Sequence, residues 1–208
     1  MTDAAGSARA VIVKLGGSHA FESYLKDWLA AIAAQAGSIV IVPGGGPFAD
    51  AVREAQTAMG FDDSAAHSMA LMAMAQYGEA LRSLNPALTA AASRSAILRS
   101  LRAGKVPVWS PEPMARAAGL PETWALTSDS LAAWLAGAIG AQRLVLVKHG
   151  RFEDASLNVC DLVARSVVDP LFPRFLKESG ARAFLAAPED SAKLAEQLRR
   201  PSFPEIVG

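Results

Sequence analysis

The chain has 208 residues, 51% of them apolar, with 20 basic and 20 acidic side chains and a formal net charge of zero. That length favours one domain, or one domain with a small lobe, and that composition supports a large core. With no Lys/Arg block and no net positive charge, nucleic acid is not an expected partner. The single cysteine, Cys160, rules out an internal disulfide and fits a reducing compartment; it is read as a small buried or half-buried thiol.

Residues 1–9 are small and polar, without the apolar centre of a signal peptide. No apolar run reaches the roughly 18 residues of a membrane span. A soluble cytoplasmic protein without a membrane partner is expected. In chain order, the first strand is expected at 11–14, ending on Lys14 and followed by Gly16-Gly17-Ser18. Phe21, Leu25, Trp28, Leu29 and Ile32 form a helical stripe. A strand at 39–42 feeds Pro43-Gly44-Gly45-Gly46-Pro47, and Phe48, Val52, Ala55 and Met59 mark the helix after it. Ser64 is the expected cap of a third helix presenting Met69, Met72, Ala73, Gln76 and Leu84.

Residues 86–103 are irregular in pattern, 106–109 read as a strand, and 110–122 are broken by Pro111, Pro113 and Pro121. A helical region follows at 126–139, with Leu131, Trp134, Leu135 and Ile139 on its apolar face, then a strand at 144–147. After a further irregular stretch at 150–161, Asp169-Pro170 starts a helix that Gly180 stops. A strand at 183–186 and a helix at 189–199 complete the pattern. The strands are short and mostly apolar, as strands buried on both faces are. There is no internal repeat. The β-α alternation predicts an α/β fold, a three-layer αβα sandwich with a mainly parallel central sheet.

The two glycine turns carry the chemical signal. Glycine runs allow backbone N–H groups to approach an anion, and a helix N-terminus adds a positive dipole end. Lys14 sits at the C-terminal edge of its strand, where ligands of open α/β sheets collect. It can neutralise a transferring phosphoryl group; a tight turn with a solvated lysine is the alternative. Three consecutive glycines give up conformational entropy with no evident packing gain, so close approach of a substrate is the expected reason. Neither turn fits G-x-x-x-x-G-K-[ST] or G-x-G-x-x-G, which disfavours a P-loop NTPase and a dinucleotide-binding dehydrogenase.

The ordered set Lys14-Leu15-Gly16-Gly17-Ser18, Val42-Pro43-Gly44-Gly45-Gly46-Pro47-Phe48-Ala49-Asp50 and Leu126-Thr127-Ser128-Asp129-Ser130-Leu131-Ala132-Ala133, followed by the strand ending at Lys148, resembles the amino-acid kinase fold family. That family includes acetylglutamate, aspartate, carbamate and uridylate kinases. The resemblance implies one kinase-like domain over 1–208, with an acceptor-binding part at about 10–125 and a nucleotide-binding part at about 126–208. It implies ATP and Mg²⁺ as cofactors, a small-molecule substrate and a homo-oligomer. Lys14 would stabilise the transferring group. Gly16, Gly17 and Ser18 would line the ATP phosphates, and Gly44, Gly45 and Gly46 would hold the acceptor. Asp129 would orient the lysines or help place Mg²⁺; a helix cap is its plain alternative. The C-terminal half is shortened to about sixty residues relative to larger members. Lys148 is the candidate second cation, provided its strand ends at the same sheet edge as that of Lys14. His149-Gly150 stands where the family has an acidic, glycine-containing turn.

Residues 60–71, with His67 one turn after Asp63, resemble a small archaeal and methylotroph subgroup of the family associated with methanofuran biosynthesis. That implies phosphoryl transfer from ATP to 5-(aminomethyl)furan-3-yl methyl phosphate. Arg53 is the candidate for the acceptor phosphate and Asp63 for its aminomethyl group; His67, on the same helix face as Asp63, is a further acceptor-binding candidate, and a helix-start acid with a polar surface histidine is the plain alternative. Two alternatives remain at this point. A kinase of a carboxylate would want a clamping arginine, yet none lies between Arg53 and Arg82. A non-catalytic nucleotide or oxoanion binder of the same fold would bind ATP without turnover.

Overall fold

The computed structural model describes residues 10–152, 154 and 156–208; the N-terminal stretch read above lies outside them. One eight-stranded sheet runs through the molecule in the order β3-β4-β2-β1-β5-β7-β8-β6. Its strands are β1 (Val11–Leu15), β2 (Ile39–Pro43), β3 (Leu88–Ala91), β4 (Val106–Trp109), β5 (Arg143–Val147), β6 (Ser156–Asn158), β7 (Arg182–Ala186) and β8 (Glu205–Val207). All neighbours pair in parallel except β7 and β8. The helices are α1 (Leu25–Ala33), α2 (Gly46–Met59), α3 (Asp63–Ser83), α4 (Arg94–Arg102), α5 (Glu112–Ala117), α6 (Ser128–Ile139), α7 (Val159–Ala164), α8 (Phe172–Ser179) and α9 (Leu194–Arg199). Among the described residues, no helix is long and apolar enough to cross a membrane.

Side chains alternate across a strand, so each central strand feeds two cores. Ile12, Val40, Val42, Leu144 and Leu146 face Leu131, Leu135 and Ile139 of α6. Val11, Val13, Ile39, Ile41 and Val145 face Trp28, Leu29 and Ile32 of α1. This is the three-layer sandwich expected. The same alternation places Lys14 and Lys148 in step with Ile12 and Leu146, on the α6 side. The register aligns Lys14 with Val42 and with Leu146, so β1, β2 and β5 end together at one edge.

Several expectations are corrected. The stretches read as irregular contain β3, α4, α5, β6 and α7. Leu-Thr-Ala-Ala of β3 has no apolar β-branched run, and β6 and β8 are three residues each, too short to show a period. Asp62, not Ser64, caps α3, its carboxylate accepting from the Ala65 N–H at 2.8 Å. The buried face of α3 is Leu71, Met74, Tyr77 and Leu81, whereas Met69, Met72 and Leu84 are exposed. This helix is apolar around much of its circumference, so period alone does not choose a face; packing on α2, β2 and β3 does. Phe21 precedes α1 and is 88% exposed, and Phe48 and Met59 also face outward. Cys160 is exposed.

The glycines have a packing reason that the sequence alone did not reveal. The two turns cross backbone on backbone. A Cβ on Gly17 would overlap the N and Cα of Gly46, one on Gly44 would overlap the N of Gly17, and one on Gly45 would overlap Ala49. The Gly44 N–H donates to Leu15 O at 2.8 Å, and Gly46 adopts φ +59°. Gly17→Ala is therefore expected to destabilise the fold by about 3 kcal/mol or more, because backbone has to move. That corresponds to a melting temperature lower by roughly 6 °C or more. A variant melting within about 2 °C of wild type would contradict the crossing.

Candidate active site

Asp129 lies in the first turn of α6 and is 3% exposed. Its Oδ1 is 3.1 Å from Lys14 Nζ, and its Oδ2 accepts from Lys148 Nζ at 2.6 Å. The two lysines arrive from the ends of β1 and β5, and one carboxylate bridges them. Burial pushes the Asp129 carboxyl up, but the two ammonium groups together outweigh it and hold it below the ordinary carboxylate value. Lys14 is buried, with 5% of its surface exposed. Burial, opposed by Asp129 and reinforced by Lys148, lowers its pKa to about 8. The three groups carry a net charge of +1 when all are ionised.

Asp129 does not cap its own helix. Asp169, whose pairing with Pro170 marks a helix start in the sequence, does so from a distance of about forty residues along the chain. Its carboxylate accepts from the N–H of Thr127 at 3.1 Å, the hydroxyl of Thr127 at 2.8 Å and the N–H of Ser130 at 3.0 Å, and from the Ser130 hydroxyl. This fixes the turn that carries Asp129.

His19, missed in the sequence, closes the other side. Its Nε2 donates to Val147 O at 3.0 Å, so its Nδ1 accepts from the Tyr24 hydroxyl at 2.6 Å. Burial lowers its pKa to about 4, and the imidazole is neutral at pH 7. It ties the first glycine turn to the end of β5, just before Lys148. Gly16 completes this corner: a Cβ there would press on Lys14 Nζ at 3.2 Å and on the His19 ring at 3.3 Å.

Beside the lysines opens a cleft of about 240 Å³. Gly17, Ser18 and Gly44-Gly45-Gly46 line one side, Thr127 and Ser128 another, and Leu71, Met74, Leu126 and Leu131 give it an apolar wall. Lys14, Gly16, Asp129 and Lys148 are not among its lining residues; Gly17 and Ser128, which follow Gly16 and precede Asp129 in the chain, are. Of the acceptor-side candidates, Arg53 and His67 line the cleft, together with Asp50 and Trp124. Arg53 pairs with Asp50 at 3.1 Å and lies 4.3 Å over the Trp124 ring. Burial lowers the His67 pKa against the pull of Glu122. Asp63 is not a lining residue: its carboxylate accepts from Gln56 Nε2 at 2.9 Å. Trp124 and Gln56 were not singled out from sequence, although a tryptophan in a proline-broken segment is a usable signal.

The residues fit the phosphates of ATP. A pair of lysines, a glycine corner and the N-terminal turn of α6 come together at one sheet edge, next to the cleft. They do not supply a cage for Mg²⁺. Both oxygens of Asp129 face lysines, and no cluster of three or more His, Cys, Asp or Glu among the described residues could hold a metal. A Mg²⁺ ion here would depend on phosphate oxygens for its coordination.

The profile of the Amino acid kinase family matches residues 9–149, over half the chain. The chain belongs to the amino acid kinase family. It is a kinase. The chain is 27% identical to the [5-(aminomethyl)furan-3-yl]methyl phosphate kinase of Methanocaldococcus jannaschii, over 95% of this chain and 97% of that protein. The fold matches the uridylate kinase of Archaeoglobus fulgidus with a TM-score of 0.70 at 18% identity, over 95% of this chain and 100% of that one. It also matches the carbamate kinase of Giardia lamblia bound to AMP-PNP, with a TM-score of 0.58 at 10% identity, over 97% and 99% of the two chains.

Proposed function

We propose that this amino acid kinase family member transfers the γ-phosphoryl group of ATP to 5-(aminomethyl)furan-3-yl methyl phosphate, giving a diphosphate and ADP. The observation that carries the reading is the Lys14–Asp129–Lys148 bridge beside a small cleft that holds Arg53. ATP supplies the phosphoryl group, and its β–γ bridging P–O bond breaks as an oxygen of the acceptor phosphate bonds to the γ-phosphorus. Lys14 and Lys148 neutralise charge on the phosphoryl oxygens, and Asp129 holds both ammonium groups in place. Gly16, Gly17 and Ser18 face the donor phosphates. Gly44, Gly45, Gly46, Arg53 and His67 face the acceptor, with Arg53 on its phosphate.

An acceptor with an ionised oxygen agrees with the rest of the site. A phosphate oxygen needs no base to become a nucleophile, whereas an alcohol does. Asp129 is committed to the lysines and His19 to Val147 and Tyr24. Asp50, which lines the cleft, is the carboxylate available to the acceptor's ammonium group; Asp63 acts through Gln56. The 27% identical relative supports the choice of acceptor. Phosphorus NMR of ATP with the aminomethylfuran phosphate, UMP or carbamate tests it. New diphosphate resonances with the furan phosphate, and slower or no turnover of the other two, are expected. Turnover of UMP or carbamate alone would assign a different acceptor.

A further inference from the structure

The acceptor side of the cleft is held by a chain of hydrogen bonds that begins outside it. Asp63, at the start of α3, accepts from Gln56 Nε2 at 2.9 Å, and the same nitrogen donates to Phe61 O at 3.3 Å. This directs the Gln56 carbonyl oxygen the other way, where it accepts from Trp124 Nε1 at 2.7 Å. The Trp124 ring lies under the Arg53 guanidinium, whose remaining partner is the exposed carboxylate of Asp50. Arginine on a helix surface samples many rotamers, and losing that freedom opposes binding. Arg53 is half exposed, yet it is held between an aromatic face and a carboxylate. Only an amide at position 56 serves both neighbours, donating to Asp63 and accepting from the indole.

We infer that Gln56 is a positioning residue for acceptor recognition: it orients Trp124 and, through it, Arg53, so that the cleft selects an acceptor carrying an anionic group on a flat ring. This rests on the reading of the cleft as the acceptor site. Gln56 does not touch the Lys14–Asp129–Lys148 cluster, so its effect falls on the acceptor and not on the donor.

The test compares Gln56→Leu, Gln56→Glu and the double variant Gln56→Glu/Asp63→Asn, using 5-(aminomethyl)furan-3-yl methyl phosphate and ATP. Leucine removes all three side-chain hydrogen bonds of Gln56. Glutamate can still accept from Trp124, but it meets the Asp63 carboxylate. The double variant restores a donor facing an acceptor between positions 56 and 63, with the roles exchanged, but leaves Phe61 O without its donor. Each single variant is expected to raise the acceptor KM roughly tenfold, the loss of about one hydrogen bond, with the ATP KM within about twofold of wild type. The double variant is expected to recover part of the loss, its acceptor KM falling below that of Gln56→Glu. An unchanged acceptor KM in Gln56→Leu, an equal rise in both KM values, or a double variant no better than Gln56→Glu would overturn the proposal. The acceptor reading is checked separately in wild type, by the change in Trp124 emission on adding the furan phosphate, taken as the difference from Trp124→Phe. No change at a concentration that saturates turnover sinks that reading, whatever Gln56 does. If wild type phosphorylates UMP instead, the same KM comparison is made with UMP.

Discussion

Replacing Lys14 by alanine is expected to lower turnover by at least roughly 10³-fold while the protein keeps its fold. Phosphoryl transfer is mostly positioning and charge neutralisation, and Lys14 is the enclosed cation of the pair, with Nζ 3.1 Å from Asp129. The fold survives because the variant keeps Asp129 hydrogen-bonded to Lys148 at 2.6 Å, a neutral pair in place of a net positive cluster. A variant with wild-type turnover would remove the mechanism proposed above. Tight ATP binding by the wild type without turnover would instead favour the non-catalytic reading. The pH profile adds an independent check. Lys14 loses its proton with a pKa of about 8, so kcat/KM falls about tenfold per pH unit above that value. Bound phosphates favour the charged ammonium, so the limb in kcat lies at higher pH than the limb in kcat/KM. Lys14→Arg keeps its charge throughout this range, and its profile is expected to be flat there, at a reduced rate.

Asp129→Ala is expected to damage stability as well as turnover. It leaves two ammonium groups facing each other in a buried place, with no carboxylate between them. Removing one partner of a buried ion pair costs about 3–5 kcal/mol. Neutralising one lysine at pH 7 costs about 5 kcal/mol at 1.4 kcal/mol per pH unit, which sets the upper limit. A melting temperature lower by on the order of 10 °C is expected. The sign of its pH dependence follows from linkage. The folded pKa of Lys14 already lies below the unfolded 10.5 with Asp129 present, and loss of the carboxylate lowers it further. The folded state then binds fewer protons than the unfolded one between those values, so the stability of the variant rises with pH up to about 10.5. Calorimetry across that range measures it. A variant as stable as wild type at pH 7, or one whose stability falls on going from pH 7 to 10, would contradict the buried arrangement.

Much of the frame is written in local pattern. The five strands read from sequence, at 11–14, 39–42, 106–109, 144–147 and 183–186, all lie within strands of the sheet. Short apolar runs between helical patterns mark them, and three of the five end at a lysine or at a proline–glycine turn. The Gly180 stop is equally local, an αL residue that closes α8 with φ +66°. The weaker strands were hidden because three or four residues carry no period, and the face of α3 because apolar residues surround it. The position of Asp63 outside the cleft was hidden for another reason. Sharing a helix face with His67 gives a direction, but not the depth to which each side chain is covered.

The sequence by itself determined the layers, the two glycine turns and which lysines stand at strand ends, since these follow from alternation, chain stiffness and turn geometry. Only the tertiary structure decided that β1 and β5 end side by side, and that one buried carboxylate bridges Lys14 and Lys148. The same is true of the backbone crossing that accounts for Gly17 and Gly44, and of the link from Asp63 through Gln56 to Trp124. Each of these joins residues far apart in the chain or held at a defined depth. Parallel pairing register, close backbone approach and desolvation set them, and none of the three has a local signature.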